Sequence, residues 1–407
     1  MKILLLTFYY PPDLCAGSFR AGALVKALQE VGGRALQIEV RTTMPNRYQS
    51  LLTVTPEFEE FGGLSIRRVP LPSHRSGMYD QARAFLSFAK AVLRETRGKK
   101  WDVVVATSSR LMTAALGAQV AKRGGSPLYL DVRDLFTDTM SDLLEGQVLR
   151  ILLPGFRQVE RRVLKSAARI NIVSPGFLDY VRAIVPEHEY RLFTNGIDEE
   201  FLQTEFAERG GELRRGLPVE SHGDRCSRSL PLVLYAGNVG EGQGLHKVLP
   251  GAASSLQGKV RFRVIGDGGR RIELEKALLG AGVSNVELLS PIPRSQLYRH
   301  YEEADVLFLH LNDHPAFLKV LPSKLFEYGA IRKRILAGLS GYPADFIRKE
   351  ITGAEVFEPC DAMGMTQALE RLLAAKVTVD RAAFCAKYSR KKIMREMAQD
   401  ILELGTR

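Results

Sequence analysis

Short apolar runs alternate with amphipathic segments along this chain of 407 residues, and this alternation constrains the fold most. The runs at residues 2–8, 102–107 and 232–236 are continuous, as is typical of strands that are buried on both faces of a parallel sheet. Segments with apolar residues at helical spacing follow such runs, beginning with residues 18–31. Because the alternation occurs twice, we expect an α/β protein with two Rossmann-like domains.

We expect a first domain over residues 1–200, a polar connector over 201–229, a second domain over 230–380 and a C-terminal helix over 381–407 that returns to the first domain. Further strands are expected at 36–42, 64–69, 127–131, 169–173, 260–265, 286–289, 305–310, 335–337 and 356–357. Further helices are expected at 79–97, 110–123, 155–167, 270–280 and 294–302.

The net charge of +11 favours anionic partners, such as nucleotide phosphates or anionic lipid headgroups. No basic run with interleaved aromatic residues occurs, so we expect no nucleic-acid partner. The four cysteines are far apart and form no Cys-x-x-Cys pair, which predicts a reducing cytosol and neither a disulfide framework nor a metal site. No apolar run reaches the roughly 18 residues that span a bilayer, so we expect any membrane contact to be peripheral.

The decapeptide Leu321–Ala330 combines features of an anion site. Pro322 suits the first position of a helix, and Ser323 and Lys324 follow in the first turn, where free N–H groups and the helix dipole favour an anion. Glu327 lies three residues beyond Lys324, so both can face one side. The cation and the amides suit phosphates and the carboxylate suits a sugar diol, although a plain surface Lys–Glu pair fits these ten residues equally well.

Glycine-rich loops follow two of the expected strands. Residues 237–244 contain four glycines, which would expose several N–H groups as a phosphate nest, unless the loop is merely flexible. A second glycine-rich turn covers residues 266–269. Gly17 lies where the first helix should begin, and it would let the backbone approach a phosphate or simply serve the turn. The G-x-G-x-x-G fingerprint is absent, which argues against an NAD dehydrogenase.

Two charged stretches allow more than one interpretation. Residues 72–100 form a basic amphipathic segment that could lie on an anionic membrane surface or pack on the core with a solvated basic face. Asp131, Arg133 and Asp134 lie at the end of an expected strand, where α/β sheets place their sites, but they could also form an internal ion pair.

Several short motifs occur together in a fixed order. They are Tyr-Ala-Gly-Asn at 235–238, Ile-Gly-Asp-Gly at 265–268, Ala-Asp-Val at 304–306 and Pro-Ser-Lys-Leu-Phe-Glu-Tyr at 322–328. This set resembles the second half of retaining GT-B glycosyltransferases of family four, also called group one. It is most similar to the bacterial O-antigen and capsule branch with N-acetyl-fucosamine-type amino sugars. The motifs at 9–12, 132–135 and 195–198 extend the resemblance to nearly the whole chain.

The resemblance implies a GT-B fold, with two Rossmann-like domains facing each other across a cleft, and a nucleotide-sugar donor, most simply UDP-linked. Lys324 and Asp134 would be the catalytic residues, with Asp134 facing the sugar. The implied donor-binding residues are Gly17, Asn238, Gly240, Gln243, Gly266, Asp267, Ile292, Lys319, Ser323, Lys324 and Glu327. Glu327 would bind the ribose hydroxyls.

The same resemblance implies a saccharide or polyprenyl-diphosphate-linked acceptor, surface polysaccharide synthesis and a cytoplasmic enzyme that can sit on the inner membrane face. No cofactor or metal is expected, because the sequence has no Asp-x-Asp signature of the other glycosyltransferase fold.

The chain departs from the family pattern at three places. Lys319 replaces the first glutamate of the family's Glu-x₇-Glu motif, although its charge could serve the phosphates. Asn238 and Gln243 stand where many relatives have an arginine and a lysine. Residues 332–334 replace the usual Gly-Lys-Pro. A GT-B sugar-nucleotide epimerase and a non-catalytic nucleotide-binding GT-B partner therefore stay as alternatives. The seven histidines show no epimerase pattern, and we expect His310 and His314 to be structural.

Overall fold

A computed structural model describes residues 1–46, 55–72, 78–108, 110–143, 147–202, 230–376 and 378–406. The chain forms two compact units. The first comprises Met1–Asn195, Lys319–Leu321 and Arg390–Arg407, and the second comprises Gly196–Leu318 and Pro322–Ser389. The predicted connector lies largely outside the described residues, since 203–229 are not among them.

The first unit is built on an eight-stranded sheet with the strand order β3-β4-β2-β1-β5-β6-β7-β8. All neighbouring strands are parallel except β3 and β4. The strands are β1 (Lys2–Leu6), β2 (Gln37–Thr43), β3 (Phe58–Phe61), β4 (Leu64–Val69), β5 (Val103–Thr107), β6 (Leu128–Val132), β7 (Arg169–Ile172) and β8 (Tyr190–Leu192). The helices are α1 (Ala16–Gly32), α2 (Met78–Glu95), α3 (Leu111–Gly124), α4 (Phe136–Leu143), α5 (Gln147–Ser166) and α6 (Leu178–Ile184).

The position of β1 inside the sheet explains why its sequence is continuously apolar. Leu4 and Leu6 belong to one hydrophobic cluster, whereas Ile3 and Leu5 belong to another. Successive side chains of a strand point to opposite faces, so the two clusters lie on the two faces of the sheet. Both faces are covered by helices, and a strand in this position has no solvent-facing side for polar residues.

The second unit has a six-stranded, fully parallel sheet with the order β11-β10-β9-β12-β13-β14. Its strands are β9 (Leu232–Ala236), β10 (Arg261–Ile265), β11 (Val286–Leu289), β12 (Val306–His310), β13 (Arg334–Gly338) and β14 (Ala354–Phe357). Its helices are α7 (Glu199–Leu202), α8 (Leu245–Ser255), α9 (Arg271–Gly280), α10 (Arg294–Glu303), α11 (Ser323–Ala330), α12 (Tyr342–Glu350), α13 (Ala362–Ala374) and α14 (Ala382–Lys387).

The last helix, α15 (Arg390–Thr406), is part of the first unit. Met394, Met397 and Ile401 are fully buried in the cluster that also contains Leu24 and Leu28 of α1. The prediction of one helix over 381–407 is therefore wrong in its detail. Helix α14 ends at Lys387 in the second unit, and α15 begins three residues later.

The predictions also omitted two short strands, part of helix α5, and the helices α4, α6, α12 and α13. Strand β3 is an edge strand with mostly exposed residues, and β8 has three residues, so neither has the apolar run of a central strand. Helix α5 begins at Gln147, eight residues before the predicted start, and it contains Pro154.

Helix α2 places its apolar side against the core of the first unit. Phe85, Phe88 and Val92 are buried in the same cluster as strand β1. Of the two interpretations of residues 72–100, core packing therefore describes residues 78–95, whereas His74 and Arg75 lie outside the described residues. In the ranges described, no helix combines the length and the low polarity that a bilayer span requires.

A buried ion pair connects α1 to the sheet of the first unit. Two nitrogens of Arg20 each lie 2.9 Å from an oxygen of Asp131, and both residues are 1% exposed. Asn171 also donates to Asp131, at 2.7 Å. Burial alone would raise the pKa of Asp131, but the charge and hydrogen bonds of Arg20 outweigh it and lower the pKa. The internal pair considered for this motif thus joins Asp131 to Arg20.

We expect Asp131→Asn to destabilise the first unit by about 3–5 kcal/mol, because Arg20 would keep a buried charge without its counter-ion. The single tryptophan, Trp101, is buried in this unit, so its fluorescence during urea unfolding measures the effect. Glu189→Gln is the control, since this side chain is 56% exposed and its pairs contribute under about 1 kcal/mol. Equal, small changes in both variants would contradict the expectation.

Candidate functional site

The second sheet has a topological switch point between β9 and β12. The chain adds β10 and β11 on one side of β9, and then β12, β13 and β14 on the other. At such a switch point the outgoing loops border a crevice at the carboxyl edge of the sheet. Here the loops after β9 and β12 also contact each other, because the N–H of Asn312 donates to the carbonyl of Gly242 at 2.9 Å. Ligands of open α/β sheets bind at this kind of crevice.

The glycine-rich loop after β9 packs closely on the turn after β10. A Cβ on Gly266, whose φ is +154°, would lie 1.8 Å from the carbonyl oxygen of Gly237, and one on Gly268 would lie 2.5 Å from that of Val239. Glycine is therefore required at both positions. Among the described residues, the backbone N–H groups of Asn238, Glu241 and Gly242 have no hydrogen-bond acceptor. Three free amides in one short loop form a nest that can receive an anion.

The side chains of the loop brace it from within. Asn238 Nδ2 donates to Gln243 Oε1 at 2.7 Å, and the N–H of Gly240 donates to the same oxygen at 3.3 Å. The predicted direct contacts of Asn238 and Gln243 with a ligand are thus limited, because part of their hydrogen-bonding capacity holds the loop. Its backbone amides are the groups that remain available.

Two side chains at the end of β12 tie the glycine-rich loop to the other side of the crevice. His310 Nε2 accepts from the N–H of Cys360 at 2.9 Å, so Nδ1 carries the proton and donates to the carbonyl of Gln243 at 2.6 Å. Asn312 Nδ2 donates to the carbonyl of Glu241 at 2.9 Å. Sequence reasoning treated His310 as structural and overlooked Asn312, because these bonds join residues about 70 positions apart.

We expect the second unit to lose stability in acid through His310, which is 2% exposed. Burial lowers its pKa from 6.5 to about 4. Between these two pH values His310 is protonated in the unfolded chain but neutral in the folded chain. The free energy of unfolding should fall by about 3 kcal/mol as the pH drops from 6.5 to 4.

Urea unfolding followed by circular dichroism across this pH range measures the change. His310→Gln should be less stable at pH 7 but should have a shallower dependence on pH than the wild type. Identical slopes for the two proteins would contradict the assignment.

Helix α11 begins directly after the loop that follows β12. The helix starts at Ser323 with Pro322 as its N-cap, one residue later than predicted. Leu325, Phe326 and Tyr328 are fully buried, and the Tyr328 hydroxyl accepts from the N–H of Ala236, at the end of β9, at 3.1 Å. The buried side of the helix thus fixes its first turn beside the crevice.

Lys324 and Glu327 form one cluster on the other side of α11. Lys324 Nζ lies 3.1 and 3.2 Å from the two carboxylate oxygens of Glu327. The side chain of Lys324 is 28% exposed and that of Glu327 is 14% exposed. The predicted proximity of the cation and the carboxylate is present, and both groups retain access to solvent.

Helix α10 supplies two further members of this cluster that sequence reasoning missed. The Tyr301 hydroxyl donates to Glu327 Oε1 and accepts from Lys324 Nζ at 3.2 Å. Arg294, which pairs with Asp198 and Glu200, contributes positive charge. Arg294 and Tyr301 are seven residues apart on a predicted helix, and this spacing indicated that they share one face of it.

The environment of Glu327 keeps its carboxylate ionised. Burial works to raise its pKa, but the charges of Lys324 and Arg294 and the hydrogen bonds from Tyr301 and Lys324 outweigh burial and lower the pKa. A carboxylate has about four acceptor positions, and three are used here. The remaining position can accept a hydroxyl, and displacement of Lys324 would free two more.

The structure corrects the prediction that Lys319 contributes to the donor site. Its ammonium lies 2.7 Å from Asp138 Oδ2, and Ser174 donates to its carbonyl at 2.6 Å. All three residues belong to the first unit. The expected contribution of Lys319 to a phosphate site in the second unit is therefore replaced by an ion pair within the first.

Of the remaining predicted residues, Gly17 and Asp134 belong to the first unit, and Asp267 and Ile292 belong to the second. Gly17 lies inside the first turn of α1 rather than before it, where a Cβ would be 2.7 Å from Arg133 Nη1. Asp134 is exposed after β6. Asp267 is exposed and accepts from the N–H of Gly268, and Ile292 lies half-buried between β11 and α10.

No group of three or more potential metal ligands among His, Cys, Asp and Glu occurs in the part of the chain that the structure covers.

Two family descriptions match most of the chain. Residues 19–196 match the glycosyl transferase 4-like domain, and residues 227–392 match the glycosyl transferases group 1. A relative from Escherichia coli K12 is 23% identical over 348 residues, which are 81% of each chain. It is WcaI, named as a proposed glycosyl transferase of colanic acid biosynthesis.

Solved glycosyltransferase structures share the fold. The Anabaena protein HepE in complex with UDP has a TM-score of 0.64 at 12% identity, over 99% of this chain and 100% of its own. WaaG, a glycosyltransferase involved in lipopolysaccharide biosynthesis, has a TM-score of 0.60 at 15% identity, over 100% of this chain and 98% of its own. The expected fold class, with two α/β units of parallel sheets as in GT-B structures, is thereby confirmed.

Proposed function

We propose that the chain is a group 1 glycosyltransferase that transfers a sugar from a nucleoside diphosphate donor to a saccharide or lipid-linked acceptor, with retention of the anomeric configuration. The family matches over residues 19–196 and 227–392 support this proposal. The observation that carries this proposal is the crevice of the second unit. An amide nest lies after β9, and Lys324 and Glu327 of α11 form a cluster with Tyr301 of α10.

The amides and Lys324 would bind the diphosphate, and Glu327 would bind the ribose diol. Breaking the glycosidic bond of such a donor separates charge, leaving a glycosyl cation and a nucleoside diphosphate. Fixed N–H dipoles and an ammonium group stabilise the anion as it forms. Attack of the acceptor hydroxyl on the face that the phosphate leaves, with its proton passing to the departing phosphate, would retain the configuration. We propose that this chemistry needs no metal, and activity in the presence of EDTA tests that point.

The donor is proposed to be UDP-linked, and its sugar an N-acetylated amino sugar. Solved relatives of the same fold contain UDP, and one contains UDP-glucose. The names of WcaI and WaaG, which refer to colanic acid and lipopolysaccharide, support a role in surface polysaccharide synthesis, including O-antigen or capsule. We assign Asp134 to the acceptor and sugar side of the reaction.

A thermal-shift panel of UDP-, GDP- and dTDP-sugars tests the proposal on the full chain. We expect stabilisation by UDP-sugars, because a ligand that binds only the folded state raises the unfolding temperature. An acceptor saccharide then allows the anomeric configuration of the product to be read by NMR. No stabilisation by any nucleotide would contradict the proposal, and inversion would contradict retention.

We expect Glu327→Ala to weaken binding of the UDP-sugar by about 10- to 100-fold, because hydrogen bonds to a charged group contribute about 1.5–3 kcal/mol. Isothermal titration measures the affinity. Tyr301→Phe is the matched variant, since it keeps the carboxylate and removes one of its supports. Its loss should be smaller. Unchanged affinity in Glu327→Ala would remove the ribose assignment.

We expect Lys324→Ala to lower turnover at saturating donor by about 10²-fold or more, because its charge opposes the anion that forms in the transition state. Steady-state kinetics separates kcat from KM. Lys324→Arg keeps the charge and should retain more activity. A rise in KM with unchanged kcat would show that the residue acts in binding alone.

The same assays separate the alternatives. An epimerase would release an epimerised nucleotide sugar without an acceptor. A non-catalytic partner would bind the nucleotide but catalyse neither transfer nor hydrolysis.

A further inference from the structure

The amide nest after β9 contains a carboxylate of its own. Glu241 contributes one of the three N–H groups that form the nest, and it is the one acidic residue among positions 237–244. A nest of this kind binds anions, and a carboxylate is itself an anion. A glutamate side chain can reach back to backbone N–H groups at a turn, as in a capping box. Unless the Glu241 side chain is held elsewhere, it would compete with a phosphate for the nest and repel it.

Arg270, in the turn after β10, holds one oxygen of this carboxylate. Its Nε donates to Glu241 Oε2, and its Nη1 lies 2.8 Å from Glu273 Oε1. The N–H of Arg270 donates to the carbonyl of Val239 at 2.9 Å, so the backbone of the arginine is joined to the same loop. The side chains of Arg270 and Glu241 are 42% and 30% exposed, so both can be substituted without opening the core.

Two other elements supply partners for the second oxygen. Asn312 Nδ2, in the loop after β12, donates to Glu241 Oε1 at 3.0 Å. Lys247 Nζ, in the first turn of α8, lies 3.9 Å from this oxygen, and His314 Nε2 lies 4.0 Å from it. The turn after β10, helix α8 and the loop after β12 thus each direct a positively charged or hydrogen-bonding group at one side chain.

These partners keep Glu241 anionic. Burial works to raise its pKa, but the hydrogen bond and the charge of Arg270, together with the charge of Lys247, outweigh burial and lower the pKa. The loop therefore carries a negative charge at neutral pH beside amides that suit a diphosphate. Because ion pairs with this much exposure contribute little to stability, the arrangement calls for an explanation other than stability.

We propose that Arg270 is a positioning residue of the donor site, which holds the Glu241 carboxylate out of the amide nest and leaves the nest open to the diphosphate. Among the described residues, Glu241 Oε2 has no hydrogen-bond partner except Arg270. Loss of the arginine would therefore free this oxygen to turn towards the N–H groups. Arg270 acts through Glu241 and needs no contact with the donor. The inference rests on the proposed function, since it takes the nest as the diphosphate site.

A double-mutant cycle on UDP binding tests the proposal, with isothermal titration of the full chain. Arg270→Gln should bind UDP about tenfold more weakly, because an unpaired like charge then faces the diphosphate. Adding Glu241→Gln to this variant should recover most of the loss. Glu241→Gln alone should tighten UDP binding by a smaller factor, because Arg270 already offsets the charge that it removes.

The recovery separates this role from a structural one. If Arg270 only maintained the shape of the loop, removal of its partner as well could not restore binding. Arg270→Lys keeps the charge and should lose less affinity than Arg270→Gln. The control is Arg371→Gln in the second unit, where Arg371 is 57% exposed and lies 3.2 Å from Glu355. This control should bind UDP at the wild-type level, and unfolding temperatures check that every variant folds.

The charge of the ligand gives a second readout. Uridine has no phosphate, so Arg270→Gln should bind it as the wild type does, and the loss for UDP should shrink at high salt. Three results would overturn the proposal: no recovery in the double variant, equal losses for uridine and UDP, or an equal loss in Arg371→Gln.

The same cycle with inorganic pyrophosphate, which offers the nest a diphosphate without a nucleoside, separates this inference from the proposed function. If the wild type binds pyrophosphate but not UDP, the proposed function fails and the pyrophosphate cycle still decides the role of Arg270. If it binds neither, both are overturned. If it binds UDP and the cycle shows no recovery, the role of Arg270 alone is overturned.

Discussion

The candidate site depends on the close approach of two backbone segments at the end of β9. The carbonyl of Gly237 occupies the space that a side chain at position 266 would need, so the two glycine-rich turns form one layer. His310 and Asn312 then attach this layer to the end of β12. An amide nest works only if its N–H groups stay fixed while an anion arrives, and these contacts prevent the loop from reorganising.

The two units use paired carboxylates in different ways. Asp131 is 1% exposed and is held by an arginine that is equally buried, which suits a permanent connection between α1 and the sheet. Glu327 also receives three hydrogen bonds, but its partner Lys324 is a flexible side chain with 28% exposure. An ammonium on a flexible stem can leave one anion for another at modest cost. The guanidinium of Arg20 cannot, because it also donates to the backbone carbonyls of Phe193 and Thr194.

The sequence predicted the features that depend on local pattern. Continuous apolar runs located the central strands, because burial on both faces removes polar residues from them. The Lys324–Glu327 pair was found because helical spacing brings residues three apart together. Features that depend on distant contacts were missed or misassigned. Tyr301 reaches Glu327 only after packing of α10, and the partner of Lys319 is 181 residues away in the chain. Edge strand β3 lacks the apolar run that marks a buried strand.

Helix α15 has a consequence for synthesis of the chain. Its buried methionines complete a core whose other members are mostly within the first 130 residues. A ribosome releases those residues long before it releases position 406. Until then the apolar side of α1 that packs against Met394 and Met397 is exposed to solvent. The second unit, in contrast, can already assemble from its own residues. The first half of the protein to be translated is therefore the last to be finished, and a truncated first unit would present that bare surface permanently.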